Sequence, residues 1–285
     1  MNSDVLELEK VLEDKAAHIR KQICLSAHKI GAIHIGGPLS ATDVVVALYY
    51  KYLGFDPNNL NDPDRNKFIL SKGHNGVLLY NVLADHGMYD WEELFNGYNK
   101  PGQPFGMHPN RKYIRGIEAS TGSLGHGLSL ATGMAVANRA DGKNSRIFCL
   151  TGDGEMEEGS NWEAIMYAGS HKLNNLVCIV DFNQSTGAFR HGENINTDWR
   201  MTFEGFGWQV IEIDGNDMEQ IVGAFESLPE VDVTKSSKPI AIISKTVKGH
   251  GVDFMNGPKW HIGSLDDKKL EEAIASIDKN RKVRG

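Results

Sequence analysis

The chain is poor in cysteine. Cys24, Cys149 and Cys178 are its only three among 285 residues, and no two of them form a CxxC pair. That excludes a disulfide scaffold or a zinc knuckle as the organising device. Long apolar runs are also missing. No stretch approaches the roughly 18–20 apolar residues of a membrane span. The charged N-terminal segment MNSDVLELEKVLEDKAAHIRKQ has no apolar core of the signal-peptide kind. Positive charge is in deficit as well: the formal net charge is −7, and no basic run or aromatic-studded basic stripe offers a footprint for nucleic acid. A soluble cytoplasmic protein is therefore expected. Any anionic ligand would need a local device, such as a metal or a helix N-terminus.

Glycine, by contrast, is abundant at 31 residues, which points to tight turns and close backbone approach to a ligand. Apolar residues at helical spacing (Val5, Leu8, Val11, Leu12, Ile19, Ile23) predict a helix over 4–29. A second helix is expected over 40–53 with Ser40 or Thr42 as its N-cap, then a strand KFILS and a helix over 75–87. Residues 96–120 read as a long irregular loop, of the kind that is usually functional. A tightly packed, buried helix is expected beyond Gly122. Further on, apolar β-branched runs at 146–151, 176–182, 208–213 and 239–244 alternate with helical segments ending near 171, over 217–227 and over 265–277. This alternation predicts an α/β fold, a parallel sheet with helices on both faces, forming one domain over 1–285. Ligands of such sheets lie at the carboxyl ends of strands, where this chain carries GDG, DFNQ and KTVKGHG.

Gly152-Asp153-Gly154 follows a strand. Its glycines let the backbone approach a phosphate, the helix beyond favours negative charge, and Asp153 can bind a hard cation. Alone it reads more readily as an unliganded strand-to-helix turn. Asn183 closes the next strand, 30 residues on. It suits a turn, but neighbouring parallel strands lie about 5 Å apart, so the two tips can share one ion. The backbone carbonyl of Ser185 can add a third oxygen.

With the intervening words, GDGEMEEGSNWEA…LVCIVDFNQ resembles the thiamine diphosphate motif. SKGH at 71–74, GMHP at 106–109, STGSLGHG at 120–127 and KTVKGHGVDFMNGPKWH at 245–261 are similar to transketolase in family order, and HIGGPLSATD at 34–43 resembles a further family segment. The resemblance covers nearly the whole chain and implies the diphosphate-binding subunit of a split, two-chain transketolase. Such an enzyme transfers a two-carbon ketol unit from a ketose phosphate to an aldose phosphate in pentose phosphate metabolism. It implies that Asp153, Asn183 and the Ser185 carbonyl hold Mg²⁺ (or Ca²⁺ or Mn²⁺), and that Gly154 donates its amide to the diphosphate. Gly122, Ser123 and Leu124 would meet the aminopyrimidine. His74 and His261 would lie near diphosphate and thiazolium, while His34, His108 and His261 face the donor's hydroxyls. Glu158 matches a glutamate linking the two active sites of the dimer, although a carboxylate in a first helical turn needs no such role. His126 and His250 are weaker candidates. A side chain titrating near neutral pH would suit the proton movements on sugar hydroxyls.

Full-length members are more than twice as long. The pyrimidine-binding and C-terminal domains are therefore expected on a partner chain in an α₂β₂ assembly, this chain being inactive alone. Phe182-Asn183-Gln184, the loop STGAFRHGEN and His126 depart from the family pattern, which leaves room for an unusual branched or sulfonated sugar. The alpha chain of a 2-oxo acid dehydrogenase shares GDG and Asn but not the four histidine segments. A decayed, non-catalytic binding subunit is the remaining alternative.

Overall fold

Buried residues Leu12, Ala16, Ile19, Ile23 and Ala27 recur every three or four positions, and this single stripe is what holds α1 (Ser3–Ile30) against the rest of the chain. The computed structural model describes residues 3–187, 189–190, 193 and 196–281. Ala188, His191, Gly192 and Asn194 of the departing loop lie outside the described residues, as do 282–285 of the C-terminal tail.

After α1 come β1 (Ile33–His34), α2 (Gly36–Ala47) continued by one π-helical turn over 48–52, β2 (Lys67–Leu70), α3 (Gly76–Asp85) and α4 (Trp91–Gly97). There follow α5 (Gly127–Ala140), β3 (Ile147–Gly152), α6 (Gly159–Ser170), β4 (Leu176–Phe182), and the short β5 (Ser185–Thr186) and β6 (Phe189–Arg190). The chain continues with α7 (Trp199–Gly205), β7 (Gln209–Asp214), α8 (Met218–Glu226), β8 (Ile240–Lys245), β9 (Ile262–Gly263) and α9 (Asp267–Asn280). The main sheet is five-stranded in the order β2-β3-β4-β8-β7, and every pairing in it is parallel.

Successive side chains point to opposite faces, so each strand feeds two cores. Phe148, Leu150, Val177, Ile179, Ile240 and Ile242 join α1, α2, α3 and α8 on one face. Cys149, Cys178, Val180, Ala241 and Ile243 join α5, α6 and Trp208 on the other. The expected α/β architecture with helices on both faces is what forms, because the central strands carry consecutive apolar residues (IFCL, LVCIV, IAII) that can be buried only by covering both sides. No helix is long and apolar enough to cross a membrane among the described residues.

Three expectations need correction. The second helix starts at Gly36, not at Ser40 or Thr42. Both hydroxyls lie inside it and bond carbonyls of the preceding turn, Ser40 to Gly37 and Thr42 to Pro38. Proline in the first turn of a helix needs no amide partner, so IGGP opens the helix instead of breaking it. Helix α5 is buried along one face only: Leu128, Ala131 and Ala135 are inside, whereas Leu130 is 44% exposed. Short helices α4 and α7 were not expected. The first is started by an Asp90/Glu93 capping box, the second by Asp198 capping Met201.

Candidate active site

Sheet register brings the site together. Gly152 is opposite Asp181, and Asp181 is opposite Ser244, so β3, β4 and β8 end side by side. Asp153 follows β3 and is 2% exposed. Its Oδ1 accepts from the Gly154 amide at 2.9 Å and its Oδ2 from the Ser185 amide at 3.1 Å. Burial pushes its carboxyl up to about 6, against the opposing attraction of Lys72. Asn183 follows β4. Its Nδ2 donates to Asp181 Oδ2 at 3.0 Å and to Ser40 Oγ at 3.3 Å. Its Oδ1 is buried and has no partner. A buried acceptor left unpaired costs roughly 1–3 kcal/mol, and here it belongs to a residue that lines one cavity together with Asp153. Oxygen-only donors of this kind suit a hard divalent cation, so the residues present fit such an ion.

The cavity measures about 300 Å³ and is lined by Gly37, Gly122, Leu124, Gly154, the loop after β4 and four histidines. Glu155 braces its floor: it accepts from the amides of Gly152 at 3.0 Å and Gly125 at 3.1 Å, and from the hydroxyl of Ser71. Gly122 has φ +137°, and a Cβ there would lie 2.8 Å from His108 Cγ. Only glycine lets this segment pass so close to the imidazole.

The histidines converge from distant segments. Antiparallel pairing of β1 with β9 sets His34 opposite Ile262. His34, His74 and His261 then stand with ring centroids 5.0 to 5.5 Å apart. Burial first, and then nearby lysine, lowers His261 to about 4 and His74 to about 2; His34 is also lowered, and burial lowers His108. The lysines are Lys72, 2% exposed and paired with Asp181, and Lys248, lowered to about 8 by burial and by Lys72. Lys248 Nζ is 3.1 Å from the Gly187 carbonyl and 3.2 Å from His261 Nδ1. An imidazole titrating near neutrality was expected. Burial beside ammonium groups instead lowers His34, His74 and His261 below the ordinary imidazole range, and burial lowers His108.

The sequence profile described as transketolase, thiamine diphosphate binding domain, matches residues 13–280. The chain belongs to the transketolase family. It is 36% identical over 274 residues to the 6-deoxy-6-sulfo-D-fructose transketolase subunit of Clostridium sp. strain MSTE9, covering 94% of this chain and 96% of that one. It is 38% identical over 269 residues to an apulose-4-phosphate transketolase subunit of Actinobacillus succinogenes, covering 93% and 95%. Among solved structures, the transketolase of Campylobacter jejuni superposes with a TM-score of 0.82 at 29% identity, over 98% of this chain but 43% of that one. The chain thus spans less than half of that full-length relative.

Within this transketolase chain, His34, His74, His108, His261, Gly122, Leu124, Asp153, Gly154, Asn183 and Ser185 all line one cavity. Ser123 does not; its hydroxyl turns to His126 Nδ1 at 3.4 Å. His126 is exposed and bonds the Leu124 carbonyl. His250 lines a separate small cavity beside Arg20 and Asp43. Glu158 is exposed at the start of α6, against Gly125 and outside the cavity. Sequence reasoning missed Lys72, Asp181, Glu155 and Lys248. The available signal was a charged residue interrupting each apolar strand end, in SKGH, VDF and KTVK. Nothing in the linear pattern says that these charges meet.

Proposed function

We propose that this chain is the thiamine diphosphate- and Mg²⁺-binding subunit of a two-chain transketolase, moving a two-carbon ketol unit between sugars. The observation that carries the reading is Asn183 Oδ1, buried and unpartnered on a residue that lines the same cavity as Asp153 on the neighbouring strand tip. Asp153, Asn183 and the Ser185 carbonyl would hold the cation (Ca²⁺ and Mn²⁺ offer the same chemistry), with the Gly154 amide and Lys248 on the diphosphate. When bound, thiamine diphosphate supplies the carbanion-stabilising chemistry that no side chain can. The chain's own residues bind, orient and exclude water. Neutral His34, His108 and His261 can donate at one ring nitrogen and accept at the other, so they can hold sugar hydroxyls and pass protons along them. His74 packs between them beside the diphosphate end. Gly122 and Leu124 would wall the aminopyrimidine.

Relatives that bear the name of subunits support a partner chain; in this reading it completes the site in an α₂β₂ assembly. Exposed Leu130 on α5 and Met166 and Tyr167 on α6, 44 to 50% exposed, support a contact between two copies of this chain beside Glu158. Three buried, unbridged cysteines suit a reducing cytoplasm. A second reading keeps the chemistry and changes the sugar: the two relatives above are named for a sulfonated fructose and for apulose 4-phosphate, which favours an unusual ketose.

The test is to measure thiamine diphosphate binding with and without Mg²⁺, then ketol transfer with a C-terminal transketolase subunit on pentose phosphate, branched and sulfonated donors. Asp153→Ala should abolish the metal-dependent part of binding. Metal-dependent binding unchanged in that variant overturns the ligand assignment. Binding without turnover on any ketose overturns the activity.

A further inference from the structure

We propose that Asp181 is the positioning residue that decides which atom of Asn183 faces the cation. The inference rests on the cofactor reading above and deepens it. Asp181 is 1% exposed. Its Oδ2 accepts from Ser40 Oγ at 2.7 Å, from Asn183 Nδ2 at 3.0 Å and from Lys72 Nζ, and its Oδ1 accepts from Thr246 Oγ1. Donors from four separate segments therefore converge on one carboxylate. Its backbone carbonyl also accepts from the Asp153 amide at 3.3 Å, so the same residue touches both side-chain ligands.

A carboxamide has two nearly isosteric orientations, and its surroundings choose between them. With Nδ2 inward, Asn183 donates to the Asp181 carboxylate and to Ser40. Turned over, its oxygen would oppose that carboxylate, acceptor against acceptor, and its NH₂ would face the ion. Asp181 only accepts, being ion-paired in the interior with Lys72. The Asn183 oxygen is thereby committed to the cavity before any metal arrives. Partners of this kind, one bond removed from a metal, typically change affinity about 10–100-fold when lost.

Asp181→Asn places an NH₂ on residue 181 and removes the preference. Since it also leaves Lys72 buried without its partner, Asp181→Asn/Lys72→Met is made beside it as a charge-neutral pair, with thermal unfolding to establish folding. Mn²⁺ binding to the full chain with thiamine diphosphate is read by the EPR signal of the free ion, without turnover. Affinity about 10–100-fold below wild type is expected in the folded double variant. The exchange Asp181→Asn/Asn183→Asp should recover most of that loss, because a carboxylate at 183 offers oxygen in either orientation. A folded Asp181→Asn/Lys72→Met chain that binds Mn²⁺ like wild type overturns the proposal, as does an exchange variant no better than Asp181→Asn. Failure of the wild type itself to bind Mn²⁺, or an Asp153→Ala chain that binds it normally, instead overturns the cofactor reading on which the proposal stands.

Discussion

Helix α5 carries two glycines whose replacement by alanine should have opposite consequences. A Cβ on Gly133 meets nothing within 4 Å, and the position is exposed in a helix interior. Gly133→Ala should therefore stabilise the isolated chain by about 0.5–1 kcal/mol, the ordinary difference in helix propensity. A Cβ on Gly127 would lie 2.6 Å from Ser71 Cα, and closer still to the Ser71 side chain. Backbone cannot swing aside as a flexible side chain can, so helix and strand end must separate by roughly 1 Å to restore contact distance. Such overpacking costs about 1–3 kcal/mol. Ser71 also donates to buried Glu155, and a hydrogen bond to a charged group contributes about 1.5–3 kcal/mol. Together these put Gly127→Ala at about 3–5 kcal/mol of destabilisation. Glu155 in turn holds the amides of Gly125 and Gly152, so cofactor affinity should fall in this variant and stay unchanged in Gly133→Ala. Urea unfolding with constant m, alongside thiamine diphosphate titration, measures both. A Gly127→Ala chain within about 1 kcal/mol of wild type and with normal cofactor binding would refute the close approach of α5 to Ser71 and the brace built on it.

Acid should destabilise the metal-free chain: below about pH 6.5 the unfolded histidines gain protons while folded His74 and His261, lowered to about 2 and about 4, do not. Denaturation between about pH 7 and 5 should show that slope, and His74→Gln should remove about one proton from it; an unchanged slope counts against neutral burial of His74. Lys248→Met should lift the His261 imidazole measurably above about 4, since Lys248 is the cation nearest to it, and NMR titration of the ring protons reports the change. If α5 and α6 carry a second copy, Met166→Arg, at a residue 50% exposed, should shift sedimentation towards the single chain without altering the circular dichroism spectrum. An unchanged oligomer would place the contact elsewhere.

Much of the site was legible because its parts are local. GDG after one strand, Asn183 after the next and histidines beside glycine or proline are patterns that backbone geometry imposes over a few residues, and the strands of the sheet were placed to within a residue or two for the same reason. The start of α2 was misplaced because IGGP reads as a turn until it is seen packed: a Cβ on Gly36 would lie 2.6 Å from the Trp260 carbonyl, far away along the chain. The lowering of the histidines was not legible because desolvation is a property of enclosure, and no residue carries it in its name.

Residue order alone pointed to the strands of the main sheet and most of its helices, to a parallel sheet covered on both faces, and to the aspartate, asparagine and histidines that line one cavity. Only folding decided that β1 pairs with β9 and so sets His34 beside His261, that Lys72 meets Asp181 in the interior, and that Asn183 gives its amide to Asp181 and leaves its oxygen without a partner. These outcomes depend on distances between residues that stand far apart in the chain. Short-range periodicity holds no information about such distances, and burial, charge and hydrogen-bond choice all follow from them.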